Sequence, residues 1–198
     1  FRSSHLKCGN SLMGNKLESI LPPTLHQTTL FESAKGRDAF KKNLKQFLMF
    51  ESLKDDSASA VKVKIEEYNK MRSKGTTYYS TKFLLDCKVA ESFGINVPNF
   101  ADYRAKIGEN SLEYYTDPVY PEIKKLSDNL KFFHWELEFP HIFVDDGGNP
   151  QKASSYGFDI IISNPPWDII EPNINQFFSR FHNKKGGKKF SLLTKPEK

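Results

Sequence analysis

Apolar positions along the chain follow a helical period first and a strand period later. Phe40, Leu44, Phe47 and Leu48 fall at i, i+4, i+7 and i+8, the stripe of an amphipathic helix, with Lys41, Lys42 and Lys45 on its other faces. A second helical stretch runs from about Ser57 to Ser73 with Val61, Ile65 and Tyr68 in register. A third, TKFLLDCKVAESFG, sets Phe83, Cys87 and Ala90 on one side and stops at Gly94, a common helix terminator. Three such stretches in succession predict a helical subdomain. Asn99 to Gly108 and Asp117 to Asn129 add short helices, with Pro118 and Pro121 marking breaks. Upstream, FRSSHLKCGNSLMG holds a short strand ending in the turn signal Cys8-Gly9-Asn10, and the Pro22-Pro23 pair makes LESILPPTLHQ a loop.

The period then changes to two. Phe133, Trp135, Leu137 and Phe139 alternate with His134, Glu136 and Glu138, the pattern of a strand with one buried face. The three polar residues could be imagined as metal ligands, but no second cluster completes a coordination set, so a polar strand face is the better expectation. Asp145 to Pro150 forms a turn, and Phe158 to Ser163 a short buried strand. No internal repeat occurs.

The 198 residues fit one ordinary domain with room for an elaborate insertion. With 17 Phe and 8 Tyr, the composition is too aromatic for a disordered chain. The two cysteines, Cys8 and Cys87, indicate neither a disulfide framework nor a zinc site, which points to an intracellular, cytoplasmic protein. No apolar stretch is long enough to span a bilayer and no signal peptide opens the chain, so no membrane partner is expected. The net charge of +5 is uneven: seven basic residues against one acid give residues 173–198 a charge of +6, leaving −1 for the rest. Lys184, Lys185, Lys188 and Lys189 in KKGGKK are therefore candidate nucleic-acid contacts, although the same run equally fits a solvated loop.

The most unusual stretch is FDIIISNPPW. Two consecutive prolines lack backbone N–H groups and have fixed φ, so the segment is stiff and its carbonyls are not used up in a ladder. Asn164 adds a side-chain acceptor and Trp167 a flat apolar face, with Pro166 holding the turn. Two acceptors beside a stacking platform suit a planar group bearing an NH2.

Asn-Pro-Pro-aromatic after a hydrophobic strand resembles the catalytic motif of S-adenosylmethionine-dependent methyltransferases that act on amino groups, above all the adenine-N6 DNA methylases. FHWELEFPHIF followed by GFDIIISNPPW, together with LKCGNSLMG, is similar to the large bacterial DNA methylases of the type IIG restriction-modification and phage-defence class. KFLLDCKVAESFG resembles a helix of that family's insertion. The resemblance implies an α/β fold, part of a Rossmann-like methyltransferase sheet with a large helical insertion. Residues 1–33 would be partial core, 34–130 the insertion, and 131–198 core with the motif and a basic tail. It further implies Asn164, Pro165, Pro166 and Trp167 as catalytic, Asn10 with Ser11 and Leu12 against the adenine of S-adenosylmethionine, and double-stranded DNA as partner. A helix cap or tight turn would use Asn10-Ser11 equally well. Similar motifs also serve methyltransferases of glutamine side chains or RNA, and an idle, non-catalytic fragment is a further alternative.

The chain departs from the family in one respect. None of its 11 glycines forms the glycine-rich strand-to-helix turn for the methionine end of the cofactor, an element expected upstream of Phe1. The sequence opens on Phe1 and is expected to be a fragment, with upstream and downstream parts of the same polypeptide missing. Between Gly14 and Ser163 lie about 150 residues, far more than one βα unit needs, which is the insertion. Asp117, Glu122 and Lys124 have the residue types of a metal-dependent nuclease, but they are spaced too tightly for separate strands, so no cleavage is expected. With half a cofactor site, residues 1–198 alone should bind S-adenosylmethionine weakly or not at all; a low-micromolar Kd in titration calorimetry would refute this.

Overall fold

The computed structural model describes residues 7–21, 27–107, 113–151 and 157–162. The chain divides into two units, Phe1–Asp159 and Ile160–Lys198. In the first unit a 3-10 turn at Leu17–Ile20 precedes α1 (Gln27–Ser52), α2 (Ala58–Met71), α3 (Thr77–Ser92) and α4 (Phe100–Ala105). A second 3-10 turn at Glu113–Thr116 leads to α5 (Tyr120–Leu130), and two single turns, α6 (Trp135–Glu138) and α7 (Pro140–Phe143), complete the order.

Helix α3 is the hub. It packs on α1, α4, α5, α6 and the 17–20 turn, and most of its residues are buried, with Leu84, Leu85, Cys87 and Ala90 at or near zero exposure. The Ser80 and Thr81 hydroxyls tolerate burial because they donate back to the Thr77 carbonyl, at 3.0 and 2.8 Å. The Thr76 side chain caps the N-terminus by accepting from the Tyr79 N–H. Gly94 ends the helix as expected: at φ 87°, its N–H bonds the Glu91 carbonyl while Ile95 N–H bonds that of Ala90, the paired bonds of a Schellman stop. Phe83, Cys87 and Ala90 all face the core. Phe83 meets the rings of Tyr103, Tyr114 and Tyr120, so α4, the 113–116 turn and α5 share one aromatic cluster with α3.

The two earlier helices form where expected, but their buried faces are rotated. On α1, Phe40, Leu44 and Phe47 are buried, whereas Leu48 is 47% exposed and Phe50 takes its place. On α2, Val61 and Ile65 are exposed and Lys64 is buried. The cause is the α1 C-terminus, whose last carbonyls need donors. Lys64 Nζ supplies them, bonding the Leu53 carbonyl at 3.0 Å and that of Glu51 at 3.5 Å, and it lies over the Phe50 ring. Tyr68 packs on the same ring.

Two expected strands do not form. Residues 133–139 alternate in sequence, yet only Phe132 makes a bridge, and the chain coils into α6 at Trp135. His134, Leu137 and Glu138 are buried together, the i, i+3, i+4 face of a helix, because the two polar side chains find partners inside. Downstream, residues 158–162 have no ladder partner among the described residues, and Ile160, Ile161 and Ile162 are 77, 74 and 92% exposed rather than buried. Ser163 lies outside the described residues. An apolar run becomes a buried strand only where neighbouring strands complete its hydrogen bonds. Among the described residues the pairing is limited to two isolated bridges, Asn10 with Phe132 and Val144 with Pro150, so the expected sheet is not seen there. The second bridge closes the expected Asp145–Pro150 turn. Residues 17–20, expected as loop, form a 3-10 turn that buries Leu17 and Ile20, while Pro22 and Pro23 lie outside the described residues.

Ile123→Ala, in a fully buried site on α5, should cost about 3 kcal/mol in urea unfolding. Val61→Ala and Ile65→Ala, despite their helical register, should each stay within about 0.5 kcal/mol of wild type.

Candidate functional site

Residues 7–17 lie along residues 131–138, joining LKCGNSLMG to FHWELE. The backbone begins the contact: Asn10 N–H bonds the Lys131 carbonyl at 2.6 Å and Phe133 N–H bonds that of Met13 at 2.7 Å. Two glycines permit this approach. A Cβ at Gly9 would overlap the Phe133 ring, and one at Gly14 would overlap the Phe133 carbonyl. Between them the chain turns, with Met13 N–H returning to the Asn10 carbonyl and Leu12 N–H to the Asn10 side-chain oxygen, at 2.9 and 3.2 Å. The turn presents Ser11 and Leu12 outward, Leu12 at 88% exposure.

Side chains of HWELE then hold this segment at four points. Trp135 Nε1 donates to the Ser11 carbonyl at 3.0 Å. His134 Nδ1 accepts the Asn15 N–H at 3.0 Å, and Glu136 Oε2 accepts the Leu17 N–H at 2.6 Å. Glu138 lies 3.8 Å from Lys7 Nζ. Because Nδ1 of His134 is an acceptor, the ring proton sits on Nε2, which donates to Asp86 at 2.8 Å. Lys82 and Ser127 also donate to Asp86. His134, Glu136 and Glu138 thus point to three different partners, and among the described residues no group of His, Cys, Asp and Glu could hold a metal ion.

Burial pushes the Asp86 carboxyl up, but the His134 N–H and the Lys82 charge outweigh it and hold the group below the usual carboxylate range. Glu138 behaves alike: burial raises it, and the Arg72 fork, at 2.7 and 2.8 Å, the Tyr78 hydroxyl and Lys7 bring it down. Burial lowers Lys7 to about 8, against the opposing pull of Glu138. Burial raises Glu136, only partly offset by the Leu17 N–H.

Aromatic rings link the site to Phe158. Trp135 stacks on Phe139 and meets Phe133 edge-on, and Phe158 packs against Trp135, Phe139 and Phe143 with centroids 5.4 to 5.7 Å apart. Phe158 therefore anchors the start of FDIIISNPPW in the first unit. Asn164, Pro165, Pro166, Trp167 and the lysines 184, 185, 188 and 189 lie outside the described residues. Asn10, Ser11 and Leu12 are brought together in one exposed turn. Two of the three nuclease-like residues are engaged otherwise: Asp117 accepts from Tyr103, Asn99 and the Val119 N–H, and Lys124 pairs with Asp128. Cys8 is exposed beside the turn and Cys87 is buried, both unpaired. Sequence patterning missed Trp135, His134, Asp86 and Arg72 as the framework. The available signal was a lone carboxylate, Asp86, inside the apolar run FLLDCKVA.

Both depressed carboxyls contribute stability that is whole above the unfolded-chain pKa of about 4 and is lost as pH falls through their folded values. Glu138→Gln leaves Arg72 and Lys7 without a counter-charge. It should lower urea-unfolding stability at pH 7 by about 3 kcal/mol and make the acid limb shallower.

A model of the Eco57I restriction-modification methylase family matches residues 30–193. The span takes in all but the first three residues of α1, the whole of α2 to α7, FHWELEFPHIF and Asn164 to Trp167, and leaves out LKCGNSLMG. Neither a curated protein nor a solved structure matches the chain. No helix among the described residues is long and apolar enough to cross a membrane. With a match over well more than half its length, the chain belongs to the Eco57I restriction-modification methylase family, the DNA methyltransferases of restriction-modification systems.

Proposed function

We propose that the protein methylates the exocyclic N6 amine of adenine in double-stranded DNA, with S-adenosylmethionine as methyl donor and Asn164 to Trp167 as the reacting corner. The observation that carries this reading is Asn-Pro-Pro-Trp after an apolar run, inside the span that matches the family. An aromatic amine is a poor nucleophile because its lone pair is delocalised into the ring. The Asn164 side-chain oxygen and the Pro165 carbonyl, accepting both N–H bonds, favour a pyramidal nitrogen whose lone pair is free to attack. No prior deprotonation is needed, and the surplus proton leaves afterwards. The base must leave the duplex to reach such a corner, and stacking on Trp167 offsets part of the few kcal/mol that unstacking costs.

The cofactor supplies an electrophilic methyl group when bound. The turn at Asn10–Met13 fits its adenine end: Leu12 offers an exposed apolar face, and the Asn10 amide, its oxygen tied to Leu12 N–H, keeps an NH2 donor for a ring nitrogen. Lys184, Lys185, Lys188 and Lys189 add phosphate contacts that carry no sequence information.

In the intact methyltransferase, assayed with labelled cofactor and DNA, Asn164→Ala should slow the chemical step about a hundredfold, the loss of roughly 3 kcal/mol from one positioned acceptor. A variant as fast as wild type would remove Asn164 from the mechanism.

A further inference from the structure

Trp135 reaches in two directions at once. Its indole N–H bonds a main-chain carbonyl, that of Ser11, at the outer turn of the 10–13 segment. Its ring packs edge-on against Phe158, 5.6 Å away, six residues before Asn164 in the sequence. Phe133 and Phe139 hold the indole from two other sides. Burial alone would be served by phenylalanine, but among these apolar rings only indole carries a donor. His134 and Glu136 grip the same segment further on, at Asn15 and Leu17, so the bond to Ser11 acts on the tip that they do not reach.

We propose that Trp135 is a positioning residue for the methyl donor: through the Ser11 carbonyl it holds the exposed Ser11-Leu12 edge in place. The inference rests on the reading of Asn10 to Leu12 as the adenine end of the cofactor site. Trp135 acts through the Ser11 carbonyl.

The test is Trp135→Phe in the intact methyltransferase, with Asn10→Ala as reference, measuring cofactor Kd, DNA Kd, kcat and melting temperature. Trp135→Phe keeps a ring and loses the donor. It should weaken cofactor binding about fivefold, the effect of one neutral hydrogen bond, with DNA affinity and melting temperature unchanged. Wild-type cofactor affinity in Trp135→Phe beside a weakened Asn10→Ala would overturn the positioning role alone. Wild-type affinity in both would remove the cofactor reading of the turn, and the inference with it. A lowered melting temperature with cofactor and DNA affinities falling together would make Trp135 a packing residue and overturn the proposal.

Discussion

The structure depends on a carboxylate placed where carboxylates are rarely found. Asp86 sits on the most buried helix, and its charge is tolerated because His134, Lys82 and Ser127 all donate to it. These donors come from α3 itself, from α5 and from the start of α6, so satisfying one group draws three segments together. His134 extends the chain by accepting from Asn15, nearly 120 residues away in sequence. A network of this kind is stable only when complete, which makes the register between residues 15 and 134 definite.

That register explains why the helical body and the turn at Asn10 form one construction. A helical insertion need only pack to be tolerated, but here α3 supplies the acceptor that orients His134. The neighbouring residues of the same single turn then reach Ser11, Leu17 and Lys7. Glu138 repeats the device one turn further on, where Arg72 from the α2–α3 connection and Tyr78 from α3 converge on it.

Much of the helical body was legible in the sequence. Helix α3 with its glycine stop, and the short α4 and α5, follow from spacing and terminators that act locally. The errors lie where a distant partner decides. Val61 and Ile65 keep helical register yet face out, because the α1 carbonyls recruit Lys64 from the other side of α2. The alternation in FHWELEF fits a strand, but buried partners for His134 and Glu138 favour a coil of helix, and no periodicity reveals a partner 48 or 66 residues away. The turn residues Asn10 to Leu12 came from resemblance, and their support by Trp135 came from geometry alone. The run Ile160 to Ile162 shows the same limit: its composition fits a buried strand, and burial depends on neighbours that the sequence does not specify.

The contrast between the two cysteines gives the molecule a built-in handle. Cys8 is exposed next to Gly9, at the hinge of the turn, whereas Cys87 is sealed in the core and its thiol is pushed up by burial, away from the reactive thiolate. A maleimide dye would therefore attach beside the turn and spare the interior, turning the natural sequence into a fluorescent reporter of anything that settles on Ser11 and Leu12.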